Sequence, residues 1–244
     1  MILNVENLKK SYNKEVEVLH SISFSIQEGE IVGIVGHNGA GKSTTLKCIT
    51  GMIPFNNGII SLNGTTLKAA PKAYKSSFGF VTDNHELFTK MTGIQYLNFL
   101  ADIYRVSIED RQNQYKLLEE YFNLGPAIND SISSYSHGMK QKLSIMGSLI
   151  HDPLLWILDE PLSGLDPHSV QALSDFMKLF SSKGHSILFS SHNIEAIQLL
   201  CNRIIIIHNG SLIDNFTIDE YNASNKNVSL RDYLLENTKK WITT

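Results

Sequence analysis

Apolar and polar residues alternate over positions 2–8 and 18–26, which predicts two half-buried strands, and Gly29 marks the turn that follows. Glu30-Ile31-Val32-Gly33-Ile34-Val35 is instead almost continuously apolar, the pattern of a buried strand, and it runs into a glycine-rich loop. Thr44 to Ile49 is predicted as a helix, residues 59–68 as a strand pair, and Ser77 to Thr82 as a further strand. The period then changes. Thr92 and Gln95 have capping-box spacing, and Ile94, Leu97, Ala101 and Tyr104 follow at helical intervals. Ser107 and Asp110 repeat the start signal before a helix whose apolar face includes Leu118, Tyr121 and Phe122.

Strand and helix signals alternate again after Asp152. Leu154 to Leu158 reads as a buried strand, and Asp166-Pro167 supplies an N-cap and a first helical residue for a helix to Ser181. Lys183-Gly184 is a turn, Ser186 to Ser190 a strand, Asn193 to Cys201 a helix, and Arg203 to His208 a strand closed by Asn209-Gly210. The pattern predicts a single α/β domain over 1–217, with a core of about 1–83 and 153–216 and a helical subdomain of about 84–152. Residues 217–244 form a short tail, where Leu230, Tyr233 and Leu234 suggest a helix docked on the core or at a dimer edge.

Composition narrows the class. The chain has 244 residues, and 21 Lys plus Arg stand against 24 Asp plus Glu, a formal charge of -3 that gives no electrostatic reason to expect a nucleic-acid partner. Apolar runs such as Leu154 to Leu158 are far shorter than the roughly 20 residues of a spanning helix. Met1 to Glu6 lack the marks of a secretory signal, so the chain is expected to start in the cytosol, and any pore must come from another chain. Cys48 and Cys201 have no metal-ligand spacing and are expected to be buried thiols.

Candidate chemistry begins at Gly36-His37-Asn38-Gly39-Ala40-Gly41-Lys42-Ser43-Thr44, which satisfies the phosphate-loop pattern. Its glycines let backbone N–H groups curl inward. Lys42 can reach the β- and γ-phosphates of ATP, Ser43 can ligate Mg2+, and Thr44 starts a helix whose N-terminus favours anionic oxygens. Leu154 to Leu158 then ends in Asp159 and Glu160. Asp159 suits the metal side, and Glu160 suits polarisation of the attacking water.

Taken in order, these segments resemble the ATP-binding subunits of ABC transporters over almost the whole chain. Ser134-Tyr135-Ser136-His137-Gly138-Met139-Lys140-Gln141-Lys142 resembles the family signature, and Pro161-Leu162-Ser163-Gly164-Leu165-Asp166 the D-loop. Ser191-His192 stands where the switch histidine belongs, and Tyr12 at the adenine-stacking aromatic. The resemblance implies a P-loop NTPase core of ABC ATPase type with an antiparallel β subdomain and an inserted helical subdomain. It implies an Mg-dependent ATPase, peripheral on the cytoplasmic side of the cell membrane, with a transmembrane permease on a separate chain. It also implies a head-to-tail dimer with a second copy or a paralogous ATPase, in which Ser136, Gly138 and Asp166 reach the ATP held by the opposite Lys42 and Ser43. His192 is assigned to γ-phosphate and water positioning.

Two departures bear on function. His137 and Met139 flank Gly138 where the family signature usually has glycine and glutamine, and Asp83 falls where a nucleotide- and metal-sensing glutamine is usual. A carboxylate can face Mg2+ or receive water but cannot donate like an amide. Both departures are similar to variants among exporters of drugs, peptides and amphipathic molecules, which tilts the expected direction toward export. Residues 84–98, with His85, Leu87, Phe88 and Tyr96, are a candidate surface for the permease, or simply pack the subdomain. A non-transport ABC ATPase is the alternative, against which stand the single core and the absence of a long insertion between the loop and the signature.

Overall fold

The computed structural model describes residues 1–13, 16–82, 88–224 and 228–234. Two sheets form the scaffold. β1 (Leu3–Asn13), β2 (Val16–Ile26), β4 (Asn57–Leu62) and β5 (Thr65–Thr66) make an antiparallel sheet in the order β2-β1-β4-β5. The second sheet joins β3 (Ile31–Val35), β6 (Phe78–Val81), β7 (Leu155–Asp159), β8 (Ser186–Ser190), β9 (Arg203–His208) and β10 (Ser211–Thr217) in the order β10-β9-β3-β8-β7-β6. All its pairs are parallel except β9 with β10.

The continuous apolar runs follow from burial on both faces of that sheet. Along β3, β7, β8 and β9 successive side chains point to opposite sides and enter two separate cores. Ile31, Val35, Trp156, Leu158, Ile187, Phe189, Ile204 and Ile206 pack with the helices, whereas Val32, Ile34, Leu155, Ile157, Leu188, Ile205 and Ile207 pack with the antiparallel sheet and α1 (Lys42–Ile49). Cys48 and Cys201 are buried free thiols, one in each core, and burial pushes the Cys48 pKa up to about 11.

Between β6 and β7 lie α3 (Gly93–Ile103), α4 (Ile108–Phe122) and α5 (His137–Leu149). The first two start at the caps that the sequence predicts. Thr92 and Gln95 exchange both capping-box bonds, at 2.9 and 3.3 Å, and Ser107 accepts from the Asp110 N–H at 3.1 Å. After β7, α6 (Pro167–Ser182) begins at an Asp166 cap, and α7 (Ile194–Leu200) at an Asn193 cap. At the tail, α8 (Ile218–Ser224) follows β10, and Leu230 and Leu234 are buried against the helical core while the Tyr233 hydroxyl donates to Asp214 of β10 at 2.6 Å.

Some elements differ from the sequence pattern. α1 starts at Lys42 and not at Thr44, because Gly41 turns the chain with φ at +111° and brings Lys42 and Ser43 into the first helical turn. α2 (Pro71–Ser76) was unsignalled: it is one and a half turns long and buries only Tyr74. The Asn209-Gly210 turn closes a hairpin to β10, whose alternation is broken by a register shift between Leu212 and Asp214.

The joint between α5 and β7 holds a neutral histidine. His151 stacks on Tyr104 with ring centroids 3.7 Å apart, and its Nε2 lies 3.1 Å from the Phe78 carbonyl oxygen, which requires the proton on Nε2. Nδ1 is then a buried acceptor without a partner among the described residues, and burial lowers the pKa to about 4 from 6.5. The unfolded chain therefore takes up this proton first on acidification. Stability is fully present above about pH 6.5 and falls between there and about pH 4, by roughly 3 kcal/mol from this group. Urea midpoints measured across that range are expected to fall more steeply for the native chain than for His151→Phe.

Candidate active site

The strand order β9-β3-β8-β7 sets three neighbouring carboxyl-terminal ends side by side, the edge at which open α/β sheets hold ligands. β3 feeds the loop of residues 36–41, β7 ends at Asp159-Glu160, and β8 ends at Ser190, directly across from Asp159 in the pairing. The loop fits closely over β9. A methyl group at Gly36 would collide with the Ile207 carbonyl oxygen, so only glycine passes there. Gly41 is backed by Val18 and Leu19 of β2, and the Gly210 N–H donates to the Ala40 carbonyl at 2.8 Å. His37, Asn38 and Gly39 form the exposed tip of the loop.

Two linked clusters of side chains meet below that loop. In the first, the Ser43 and Ser190 hydroxyls both donate to Oδ1 of Asp159, at 2.9 and 2.6 Å. A serine hydroxyl beside a buried carboxylate is a hard-oxygen donor pair that fits Mg2+, which uses one or two carboxylates and completes its shell with phosphates and water. Among the described residues no trio of His, Cys, Asp or Glu is clustered, as a metal held mainly by phosphates does not require one.

In the second cluster, Lys42 is buried. Its ammonium donates to the Gly36 and His37 carbonyls at 2.8 and 3.3 Å and lies 3.9 Å from Oε1 of Glu160. The other carboxylate oxygen, Oε2, accepts from the His192 N–H at 3.3 Å and faces His192 Nδ1 at 2.9 Å. Glu160 has φ at +51°, a left-handed conformation costing on the order of 1–3 kcal/mol in a residue with a side chain. Its N–H is held by the Ser190 carbonyl and hydroxyl, at 3.2 and 3.1 Å. The side chain is thus aimed from three directions, with His192 largely exposed on the open side.

The remaining candidates lie apart from these clusters. Ser136 caps α5, accepting from the Met139 N–H at 3.3 Å, and with Gly138 it presents a helix N-terminus at the surface. Asp166 caps α6. The Ser169 hydroxyl at 2.6 Å, then the Ser169 and His168 N–H groups at 3.0 Å, lower its pKa to about 2. Tyr12 is 61% exposed, with the Lys10 ammonium 4.9 Å from its ring centroid, which excludes a core role; it lies near the end of β1, between Ser11 and Asn13, which pair with Glu17 and Val16 of β2. Thr44 follows Ser43 in the first turn of α1. Asp83, His85 and Leu87 fall outside the described residues.

Several contributions rest on contacts between segments distant in the sequence. Ser190 anchors both Asp159 and Glu160, but only the β7–β8 register makes it their neighbour. Gln141 donates to the Pro161 carbonyl and ties α5 to the loop after Glu160, while the His137 ring lies close against Gly164 in that loop. His37 reaches Asn209 with its Nε2 at 3.2 Å, joining the loop tip to the β9–β10 turn.

Comparison with known proteins agrees with this layout. The family model described as "ABC transporter" matches residues 19–163. The chain is 34% identical over 241 residues to the ABC-type transporter ATP-binding protein EcsA of Bacillus subtilis, covering 98% of this chain and 97% of that protein. It is also 34% identical over 212 residues to the linearmycin resistance ATP-binding protein LnrL of the same organism, covering 87% and 68% of the two chains. A solved structure described as an ATP binding subunit of an ABC transporter superposes with a TM-score of 0.92 at 32% identity, covering 98% of this chain and all of that one. A strand edge that gathers the loop, Asp159 and Glu160, together with these matches along nearly its full length, places the chain in the ABC transporter family as an ATP-binding and ATP-hydrolysing subunit.

Proposed function

We propose that ATP turnover at this site drives a separate transmembrane permease in the direction of export, with a drug, peptide or other amphipathic molecule as cargo. The observation that carries the catalytic part is the Glu160 carboxylate held between Lys42 and His192, beside the Ser43–Asp159 pair. The direction of transport is supported by similarity to a protein named for linearmycin resistance and by His137 and Met139 in the signature.

In this reading residues 1–217 act as one nucleotide-binding domain, peripheral on the cytoplasmic face of the membrane; no helix among the described residues is long and apolar enough to cross a bilayer. Tyr12 stacks on the adenine. Gly36 to Thr44 wrap the phosphates with backbone N–H groups, and Lys42 neutralises their charge. Ser43 and Asp159, with Asp83, would hold Mg2+, which supplies positive charge to the β- and γ-phosphate oxygens when bound. Glu160 accepts a proton from water as the water oxygen attacks the γ-phosphorus and the bond to ADP breaks. His192 keeps the Glu160 carboxylate turned toward that water and contacts the γ-phosphate. Ser136, Gly138 and Asp166 of a second ATPase chain complete the site from across a dimer interface, with the α5 N-terminus favouring the γ-phosphate.

His192→Ala is expected to lower steady-state hydrolysis by about 100-fold with little change in ATP affinity, since the positioning partner of Glu160 is lost while the phosphate loop is intact. Turnover assays and nucleotide titrations separate the two effects. The transport reading is tested by gentle purification from native membranes: a spanning permease is expected to copurify and to change the ATPase rate, whereas recovery with soluble ribosomal or DNA-associated factors alone would reject it.

A further inference from the structure

The tip of the phosphate loop is bare of packing where its two ends are walled in. A methyl group at Gly39 would meet nothing within 4 Å among the described residues, in contrast to Gly36 and Gly41. What shapes the tip is a turn. The Ala40 N–H donates to the His37 carbonyl at 3.1 Å; Asn38 and Gly39 lie between them, and of the two only Gly39 has a positive φ, at +84°, the pattern of a type II turn. Types I and II share that closing bond and differ by a half-rotation of the central peptide, here Asn38–Gly39, which a glycine permits in both senses. In a trans peptide the N–H points opposite to the C=O, so the rotation decides which side of the tip shows a donor and which an acceptor.

The His37 side chain makes that choice. Its Nδ1 lies 2.7 Å from the Asn38 carbonyl oxygen, which can only accept, so Nδ1 carries a proton and donates. The carbonyl is drawn to the ring, and the Gly39 N–H is sent the other way. The ring is in turn fixed from outside the loop. Its Nε2 meets the Asn209 side-chain amide at 3.2 Å, and it packs edge-to-face with His208, centroids 4.9 Å apart and planes at 68°. His208 is buried on β9, and burial first, then the His37 ring, hold its pKa below the ordinary value, so it meets His37 as a neutral aromatic. The turn that carries Asn209 is itself tied down, since the Gly210 N–H donates to the Ala40 carbonyl at 2.8 Å and the His20 N–H to the Gly210 carbonyl at 2.7 Å.

We propose that His37 is a positioning residue for ATP: it holds the Asn38–Gly39 peptide in the sense that turns the Gly39 N–H to the β- and γ-phosphates, and the β9–β10 turn holds His37 in place. The inference rests on the reading that the loop wraps the phosphates with backbone N–H groups, and it adds the side chain that orients the tip. With the peptide reversed, a carbonyl oxygen would stand where the donor belongs and set a partial negative charge against an anion.

Calorimetric titration of Mg-ATP into the full chain, with phosphate release for KM and kcat, tests this. His37→Asn places an amide NH2 where Nδ1 stands and keeps the bond to Asn38, whereas His37→Gln places one where Nε2 stands and keeps only Asn209. His37→Ala and His37→Gln are expected to raise the Kd about tenfold with kcat at saturating Mg-ATP within about twofold, and His37→Asn to stay within about threefold of the native Kd. Asn209→Gly, a residue suited to the φ of +44° there, is expected to raise the Kd about threefold and to add nothing in the His37→Ala background. His37 and Asn209 are exposed, so urea midpoints are expected to stay unchanged in all these variants. Equal affinity across the three His37 variants would overturn the proposal, as would additive effects of His37→Ala and Asn209→Gly, or a loss carried by kcat alone. If Lys42→Ala loses ATP while His37→Ala binds it as the native chain does, the His37 assignment fails alone; if Lys42→Ala also binds with native affinity, the phosphate-loop reading fails with it.

Discussion

Glu160→Gln is expected to slow ATP hydrolysis by about 10²–10⁴-fold while leaving ATP binding intact. The amide keeps the size of the carboxylate and can still meet His192 and the Lys42 side of the pocket, but it cannot take a proton from water. The γ-phosphate then persists, and with it the proposed contacts to a second chain, so nucleotide-bound dimer is expected to accumulate. Steady-state phosphate release together with sedimentation in Mg-ATP checks both halves. Undiminished turnover would remove Glu160 from the general-base role.

Ser136→Arg should abolish ATP-dependent dimerisation, and with it turnover by at least about 100-fold, without weakening ATP binding to the single chain. Ser136 is exposed at the start of α5 and contributes no bond to the Lys42 or Asp159 clusters, so a long side chain is accommodated in the isolated subunit. In a closed dimer the same side chain would fill the space meant for the opposite chain's γ-phosphate. Loss of the N-cap bond to Met139 costs about 1 kcal/mol, too little to unfold the domain. Light scattering with and without Mg-ATP reads the result, and dimerisation equal to that of the native chain would count against a site shared between subunits.

The parts of the site legible in the sequence are those encoded over short stretches. The phosphate loop, the Asp159-Glu160 strand end and the Asp166 cap each rest on residues within a few positions of one another. What escaped depends on pairing between distant segments. Ser190 serves Asp159 and Glu160 because β7 and β8 lie in parallel register, and Gly36 is required by a carbonyl of β9 far along the chain. The same logic governs the helical segment, where Phe88 and Tyr96 look alike in sequence but diverge in space: Tyr96 of α3 is packed against Gly147 of α5, whereas Phe88, which precedes α3, is exposed. Strands buried on both faces were legible as apolar runs, whereas β10, with a register shift and half-buried residues, gave no clean period.

The central claim is that the phosphate loop is half of a catalytic site whose other half is Ser136 and Gly138 of a second ATPase chain. A photoreactive group tethered to the γ-phosphate of ATP tests it most directly, using the Glu160→Gln chain, or that chain with its paralogous partner, separated into monomer and dimer after irradiation. The account predicts label on the Gly36–Thr44 peptide in both fractions, and label on the Ser136–Gly138 peptide in the dimer alone. Label on Ser136–Gly138 in the monomer, or none there in the dimer, would contradict it.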